Sequence, residues 1–240
     1  MKVNSEIFRA YDIRGIAGKE LTEEGIFYIG KAIGTLILSE GRKSLLTARD
    51  GRISGPSLLR SFQEGVLATG CNVTDLGLVP TPLLYFATFK TKIPDGVMLT
   101  GSHNPKNYNG LKIVIDKKSM TRQKIGEIKN MISNDNYFNG SGKMSQLEIK
   151  KDYLMELQEK IRLDSKLKVC LDCGNGVGGL VAPDAFKILG IDLIELFSNV
   201  DGEFPNHHPD PSNIENLKDL WVMPRRFRTL LCQKQSLMRN

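Results

Sequence analysis

Residues 98–115 read MLTGSHNPKNYNGLKIVI, an apolar run followed by a short polar segment and a second apolar run. This pattern predicts two strands joined by a tight polar loop. Within the loop, Gly101 permits a close backbone approach and Pro105 stiffens the exit. Ser102 is therefore expected on a short rigid loop between two strands.

The residues beside Ser102 give this loop a chemical character. His103, Lys106 and Lys112 place cationic or proton-carrying groups near the serine hydroxyl. Such a setting suits a serine that carries a phosphoryl group, because cationic hydrogen-bond donors stabilise the dianion. Composition alone is as compatible with an ordinary polar turn at the surface, and both interpretations stay open at this point.

The sequence around this loop alternates between strand-like and helix-like segments. Thr22 is placed to cap a helix whose first turn holds two glutamates, and Gly41 is placed to end it. The alternation predicts a layered α/β domain. Strand-like runs lie at 43–48, 71–77, 95–100 and 110–115, and further helical patterns lie at 57–70, 83–90 and 121–133.

Two further polar segments carry arginines beside apolar runs. In FRAYDIRG, Tyr11 and Arg14 precede a turn predicted at Gly15. The segment RDGRISGP, residues 49–56, adds two arginines in a predicted loop. Loop arginines at strand ends suit phosphate or carboxylate binding. For any one of them taken alone, a surface salt bridge is the simpler interpretation.

A second α/β unit is predicted after a polar stretch at 134–148, which we interpret as the exit of the first domain. A connecting helix at 150–161 leads to a strand at 168–173 and to the loop GNGVGG at 174–179. This loop fits the pattern G-x-G-x-x-G between a strand and a helix, and Glu195 follows about twenty residues later, as dinucleotide binding requires. Dinucleotide binding is thus one alternative for this segment.

Two sets of ligand-type side chains in the second unit raise a metal or redox role. Cys170 and Cys173 form a C-x-x-C, but positions three apart in a strand face opposite sides, which favours small buried hydrophobic residues. Residues 201–210, DGEFPNHHPD, hold two histidines and two aspartates. Their proline and asparagine content favours a rigid loop over a metal site.

Charge and hydropathy exclude several classes of partner. The net charge of +6 comes mostly from residues 221–240, which hold five Lys or Arg and no Asp or Glu, so residues 1–220 carry 28 basic and 27 acidic residues. We therefore expect no nucleic-acid face. The apolar runs are too short to cross a bilayer, and the N-terminus lacks a signal-peptide core. We expect no membrane partner and a cytoplasmic location.

Taken in order, FRAYDIRG, RDGRISGP, GVMLTGSHNPKNYNGLKI, LDCGNGVGG and VDGEFPNHHPDPSNIENLKDL resemble the phosphomannomutase/phosphoglucomutase group of the α-D-phosphohexomutase superfamily. TGSHNP followed by YNGLK is highly specific to that superfamily. The resemblance displaces the dinucleotide interpretation. It implies a layered α/β/α domain with a mixed sheet at 1–148, the truncated start of a second similar α/β domain at 149–220, and a basic tail at 221–240 that is foreign to the family.

The resemblance also implies an isomerase that interconverts hexose 1-phosphates and 6-phosphates, of mannose or glucose, through a bisphosphorylated sugar intermediate. Ser102 matches the serine that is phosphorylated in the resting enzyme. Lys112 matches a general acid or base beside the reacting oxygens, and His103 a neighbour that helps proton transfer or positioning. Arg14 completes the implied catalytic set.

Substrate and metal binding are implied in the same way. Tyr11, Arg14, Asn104 and Lys112 match residues that approach the phosphoserine and the sugar phosphate. One Mg²⁺ is implied, bound by Ser102 through its phosphate and by a set of aspartates in an Asp-Gly-Asp-Gly-Asp loop. That loop does not occur in this sequence.

The family pattern would continue after residue 220 to that metal loop and to two further domains that hold the sugar and its distal phosphate. Here it gives way to WVMPRRFRTLLCQKQSLMRN. We therefore expect a truncated gene product or a frameshift near codon 220, with negligible mutase activity. The alternatives are a non-catalytic sugar-phosphate-binding or decayed fragment and, third, a nucleic-acid binder acting through the basic tail.

Overall fold

The computed structural model describes residues 3–227 and 230–233. The chain divides into two compact units. The first comprises Met1–Ser102 and Lys106–Ile149, and the second comprises His103–Pro105 and Lys150–Asn240. No helix in the described ranges is both long enough and apolar enough to cross a membrane.

A mixed β-sheet forms the centre of the first unit. Its strand order is β1-β5-β4-β2-β3-β7, and β6 pairs with β5. Strands β2, β3, β4 and β7 are parallel, whereas β5 is antiparallel to both of its neighbours, β1 and β4. The strands are β1 Ile13–Ile16, β2 Ser44–Arg49, β3 Asn72–Leu78, β4 Gly96–Leu99, β5 Tyr108–Ile115, β6 Lys118–Ser119 and β7 Met144–Gln146.

Four helices cover the two faces of this sheet: α1 Glu23–Ser39, α2 Gly55–Leu67, α3 Thr81–Lys90 and α4 Arg122–Ser133. One continuous apolar core joins α1, α2 and α4 to alternate residues of the strands. Helix α3 packs on the opposite face, where its Leu84 lies against Gly96 of β4. The predicted α/β/α architecture with a mixed sheet is confirmed.

The predicted helix ends have the expected local chemistry. Thr22 Oγ1 accepts a hydrogen bond from the backbone N–H of Gly25 at 3.1 Å, which satisfies a donor that the first turn of α1 leaves unpaired. Thr121 caps α4 in the same way. Gly41, just after α1, has φ 78°, a conformation that favours glycine.

One expectation about the first unit was wrong. Gly15 does not end its segment in a turn but lies within β1, opposite Asn109 of β5, and the chain turns at Gly18 instead. The polar stretch at 134–148 lies at the end of the first unit, and it contains a strand that was not predicted, β7, an edge strand with exposed side chains. Both strands are fixed by pairing with distant residues, which leaves no local hydrophobic pattern to detect.

The second unit has a smaller parallel sheet of order β10-β8-β9. Its helix α5 and its strand β8 agree with the segments predicted at 150–161 and 168–173. Helix α5 and strand β9 contain no fully buried residue. The elements are α5 Lys150–Lys160, β8 Lys168–Asp172, α6 Ala182–Ile188, β9 Asp192–Leu196, α7 Lys218–Phe227 and β10 Leu230–Gln233.

Candidate active site

Ser102 lies in the loop that follows β4, and its residue surface is exposed. Its φ of 55° places it in the left-handed region, which is unusual for a residue other than glycine. The backbone N–H of Ser102 donates to Thr100 Oγ1 at 2.9 Å. The loop is therefore held at the serine backbone, while the residue itself faces outward.

A buried carboxylate from the neighbouring strand fixes the start of this loop. Asp50 follows β2, and its N–H donates to the carbonyl of Leu99 at 3.0 Å. Asp50 Oδ2 accepts hydrogen bonds from Thr100 Oγ1 at 2.7 Å and from the N–H of Gly101 at 3.3 Å. Because buried polar groups are costly when unpaired, these bonds define one arrangement of the turn.

Arg52 completes this network. Its side chain is fully buried, and its Nε donates to Asp50 Oδ2 at 3.2 Å. Its two terminal nitrogens donate to backbone carbonyls, Nη1 to Tyr108 at 3.0 Å and Nη2 to Ser102 at 2.9 Å. Burial lowers the pKa of the Arg52 guanidinium, and the charge of Asp50 opposes this effect.

Gly101 makes room for this arginine. A Cβ atom at Gly101 would lie 2.3 Å from Cζ of Arg52 and 2.7 Å from the carbonyl oxygen of Tyr108. A side chain there would displace the guanidinium from the loop. The glycine of TGSHNP thus permits a close approach, as predicted, and the approaching group is Arg52.

The sequence predicts phosphate or carboxylate binding for the arginines of RDGRISGP, with a surface salt bridge as the simpler interpretation of each one alone. Arg52 binds a carboxylate, that of Asp50, but the surface location was wrong, because the pair is buried and the other Arg52 donors bind backbone carbonyls. No periodicity marks a single loop arginine for burial. The neighbouring glycine before Ser102 is the one local signal that could have suggested it.

Lys112 and Arg14 lie on one face of the sheet. Arg14 on β1 is opposite Gly110 on β5, and Lys112 is two residues further along β5. Residues directly opposite in a ladder and residues two apart in a strand share a face. Lys112 is half-buried and its side chain forms no ion pair among the described residues.

Arg14 also lies near the Ser102 loop. Its Nη2 forms an ion pair with Asp12 at 2.6 Å, and its charge contributes to lowering the pKa of Arg52. Tyr11 precedes β1 and is 73% exposed, so its ring is available to a ligand. His103 and Asn104 follow Ser102 directly, the first exposed and the second half-buried. Their predicted roles stay predictions.

Two family models match the chain. The phosphoglucomutase/phosphomannomutase α/β/α domain I model matches residues 5–138, more than half of the chain, and the domain II model matches residues 151–226. The chain belongs to the phosphoglucomutase/phosphomannomutase family. The domain II match extends six residues into the segment interpreted above as a foreign tail.

Individual members of the phosphoglucomutase/phosphomannomutase family agree with this assignment. The phosphomannomutase/phosphoglucomutase of Pseudomonas aeruginosa is 45% identical over 216 residues, 90% of this chain and 47% of that protein. The phosphoglucomutase of Neisseria meningitidis serogroup B is 43% identical over 217 residues, again 90% of this chain and 47% of that protein. The chain spans about half the length of the curated relatives it matches.

A solved structure supports the fold. A phosphoglucomutase/phosphomannomutase family protein from Burkholderia thailandensis superposes with a TM-score of 0.91 and 38% identity, over 95% of this chain and 51% of that chain. A phosphomannomutase-like structure from Thermus thermophilus, at 23% identity, superposes with a TM-score of 0.83 and supports the fold alone.

The magnesium site that the family resemblance implies does not fit the described residues. They contain no group of three or more His, Cys, Asp or Glu side chains that could hold a metal ion. The buried carboxylate of Asp50, at the Ser102 loop, already binds Arg52, Thr100 and Gly101. Mg²⁺ stays a prediction.

The second unit of this phosphoglucomutase/phosphomannomutase family member has its own tight loop, GNGVGG, after β8. A Cβ at Gly174 would lie 3.0 Å from the His207 ring, and one at Gly179 would lie 1.9 Å from the carbonyl oxygen of Ser198. Both glycines therefore permit a close approach of neighbouring protein atoms. The family membership sets the dinucleotide alternative aside.

The histidines and cysteines of this unit have structural partners. His207 Nε2 lies 3.1 Å from Oδ2 of the buried Asp172, and its Nδ1 lies 3.0 Å from the carbonyl oxygen of His208. Cys170 and Cys173 are buried thiols, and burial raises the pKa of Cys170. The predicted small buried cysteines are confirmed, and the rigid loop at 201–210 stays a prediction.

Proposed function

We propose that this chain carries the phosphoryl-transfer serine of a phosphohexomutase, an isomerase that interconverts the 1-phosphates and 6-phosphates of mannose or glucose. The family membership supports this proposal at the level of activity class. The observation that carries it is the Ser102 loop. An exposed serine sits on a backbone that is fixed by Thr100 and by the buried Arg52.

In the proposed reaction, Ser102 Oγ attacks the phosphorus of a hexose bisphosphate. The bond between Oγ and phosphorus forms, the bond between phosphorus and the sugar oxygen breaks, and the serine proton moves to that sugar oxygen. The products are phosphoserine and a hexose monophosphate. In the other half of the cycle, the phosphoserine gives its phosphoryl group to the free hydroxyl of the isomeric hexose monophosphate: the bond between Ser102 Oγ and phosphorus breaks, the hydroxyl proton returns to Oγ, and the bisphosphate is formed again. Positioning and charge stabilisation account for most of the catalysis of phosphoryl transfer.

Lys112 is proposed to move the proton and to stabilise the negative charge of the transferring group. Its ammonium has no ion-pair partner among the described residues, so it is available to the substrate. His103, next to Ser102, is proposed to assist the same proton transfer. A positioned acid or base contributes about 10²–10⁴-fold to such a step.

Arg14, Tyr11 and Asn104 are proposed to bind the phosphoserine and the sugar phosphate. Arg14 shares a sheet face with Lys112, so the two cations point to the same side of the sheet. Their combined charge favours a ligand that carries two phosphates. The exposed ring of Tyr11 provides an apolar surface with a hydroxyl for the sugar.

In a polypeptide of these 240 residues, both the loading of Ser102 and its discharge to a sugar phosphate are proposed to be slow. Its sequence holds no Asp-Gly-Asp-Gly-Asp loop, and its described residues provide no ligand set for a metal. Parts of a substrate that lie far from the reacting atoms contribute binding energy to catalysis only when protein groups contact them. We therefore expect slow loading of Ser102 and negligible mutase activity in a coupled assay with glucose 1-phosphate.

The test is phosphoryl transfer from ³²P-labelled glucose 1,6-bisphosphate to the purified chain. We expect label on Ser102, accumulating slowly, and none in Ser102→Ala. Binding of the bisphosphate without label transfer would overturn this proposal in favour of a non-catalytic sugar-phosphate-binding protein. This second candidate is worth testing because the residues that the structure describes include no group of three or more His, Cys, Asp or Glu side chains that could hold a metal ion.

A further inference from the structure

We propose that Arg52 is the positioning residue of the phosphoryl-transfer serine. It ties together the two ends of the loop from Ser102 to Tyr108 and so holds Ser102 in the orientation that receives phosphate. This inference rests on the proposed function for its chemical consequence. Its structural part, the tie between the loop ends, stands on the geometry alone.

The planar guanidinium of Arg52 binds two carbonyls of the loop at once. Nη2 binds the carbonyl of Ser102 and Nη1 binds the carbonyl of Tyr108, which are six residues apart in sequence. Arginine can bind both because its planar fork presents several N–H donors in fixed directions. A lysine ammonium carries its three N–H donors on one nitrogen, so it cannot reach both carbonyls while also binding Asp50.

The backbone of Ser102 gives a reason for such a tie. Its φ of 55° is unfavourable for a residue with a side chain. Such a conformation persists only when its surroundings fix it from several directions. Here the N–H of Ser102 is held by Thr100 and its carbonyl by Arg52. The serine peptide unit is thus restrained on both sides of the residue.

Burial makes this tie strong. Arg52 is 1% exposed and Asp50 is 8% exposed. Hydrogen bonds that involve charged groups are stronger than neutral ones, and removing one partner leaves a buried group unpaired. The pKa of Arg52 is lowered by its burial, yet arginine stays protonated at any pH at which the protein is folded.

Arg52 does not serve only to neutralise Asp50. The Nε donor and the backbone N–H of Arg52 already satisfy the two oxygens of Asp50. The two terminal nitrogens donate to the carbonyls of Tyr108 and Ser102. A purely structural ion pair would not need these two bonds. We therefore expect a substitution of Arg52 to affect function by changing the position of Ser102.

The test compares Arg52→Lys with Arg60→Lys. Arg60 is an exposed arginine on α2, so the control makes the same chemical change outside the network. Two readouts are measured in variants that keep the thermal midpoint of the parent: hydrogen exchange of backbone amides in residues 100–110, and label transfer from ³²P-labelled glucose 1,6-bisphosphate to Ser102.

For Arg52→Lys we expect loop amides to exchange about tenfold or more faster, because two charge-assisted bonds are lost. We also expect the transfer rate at saturating bisphosphate to fall by about 100-fold, the effect of a small misplacement of a reacting group. The half-saturating concentration should not change, since Arg52 does not contact the ligand. Arg60→Lys should match the parent in both readouts.

A second pair of variants covers the case in which Arg52→Lys does not fold. Thr100→Val removes the hydroxyl that links Asp50 to the Ser102 N–H, with little change in shape, whereas Thr100→Ser keeps it. We expect roughly tenfold faster loop exchange in Thr100→Val. Thr100→Ser should behave like the parent chain.

The two proposals fail in different ways. If the parent chain takes no label while its loop exchange responds to Arg52→Lys as expected, the proposed function is wrong and the tie stands. If folded Arg52→Lys or Thr100→Val shows parental exchange in residues 100–110, the positioning role is overturned. If exchange rises but label transfer stays parental, Arg52 orders the loop without positioning the serine, and the inference is wrong.

Discussion

The loops after β4 and β8 use the same backbone device in different ways. Each contains a residue other than glycine in the left-handed region, Ser102 with φ 55° and Asn175 with φ 54°. Each lies beside a buried aspartate that accepts a loop N–H, Asp50 in the first unit and Asp172 in the second. The strained residue itself is exposed in the first loop and 5% exposed in the second.

The two strained residues differ in their exposure. Asn175 Nδ2 donates to the carbonyl of Asn199 at 2.9 Å, and its Oδ1 accepts from Asn206 Nδ2 at 2.7 Å, so these bonds hold its amide inside the unit. Ser102 is exposed, and hydrogen bonds to its backbone N–H and carbonyl hold it at the surface. Of the two strained residues, Ser102 is therefore the one that a ligand can reach.

The largest expected effect is the loss of phosphate incorporation when Ser102 in the loop after β4 is replaced. Ser102→Ala should abolish phosphate incorporation from glucose 1,6-bisphosphate, because the acceptor oxygen is gone. Its thermal midpoint should match the parent, since an exposed substitution changes stability by about 0.5 kcal/mol or less. Label transfer and differential scanning calorimetry measure the two quantities. Residual label at parental levels would show that the acceptor is another residue.

The next effect concerns Lys112. Lys112→Met should slow label transfer to Ser102 by about 100-fold, the contribution of a positioned acid or base. Stability should not fall, because the ammonium has no ion pair among the described residues to lose. Lys118→Met, at an exposed position of the same hairpin, is the matched control. Equal transfer rates in the two variants would contradict the proposed role.

Asn175→Ala should lower stability without slowing label transfer, the reverse of what Lys112→Met should do. It leaves label transfer to Ser102 unchanged and destabilises the second unit by about 2 kcal/mol, through two lost hydrogen bonds and an unfavourable left-handed alanine. Asn175→Gly removes the backbone cost but not the lost bonds, so it should be intermediate. Urea unfolding measures both. If Asn175→Ala is as stable as the parent chain, the side-chain network is not what holds this loop.

The smallest expected effect is a dependence of the stability of the first unit on alkaline pH. Burial, with help from the charge of Asp95, raises the pKa of the Cys71 thiol from 9.0 to about 12. Stability should therefore fall as pH rises from 9.0 towards 12, because the unfolded chain releases this proton first. Cys71→Ala should show a shallower fall in urea unfolding at alkaline pH. An identical pH dependence in both proteins would contradict a raised pKa.

The sequence could predict those parts of the fold that are encoded locally. Thr22 and Gly41 mark the ends of α1 through capping chemistry, and the alternation of apolar runs identifies β2 to β5. The strands β1 and β7 could not be found in this way, because their stability comes from partners on β5 and β3. A short or exposed strand has no hydrophobic period of its own.

The candidate site divides in the same way. Ser102 and Lys112 could be predicted because the loop sequence itself carries them, together with a resemblance to a family. Arg52 could not, since its burial depends on three carbonyl and carboxylate groups that come from different strands. A polar residue that packs inside a loop has the same sequence signature as one that faces solvent.

The most direct test of the central claim is discharge of the loaded serine. The chain is first labelled with ³²P-glucose 1,6-bisphosphate, the label is mapped to a residue by peptide mass spectrometry, and unlabelled glucose 1-phosphate is then added. A phosphoryl carrier predicts that the label sits on Ser102 and moves into newly formed glucose 1,6-bisphosphate. Label on another residue, or label that stays on Ser102 in the presence of the sugar phosphate, would contradict it.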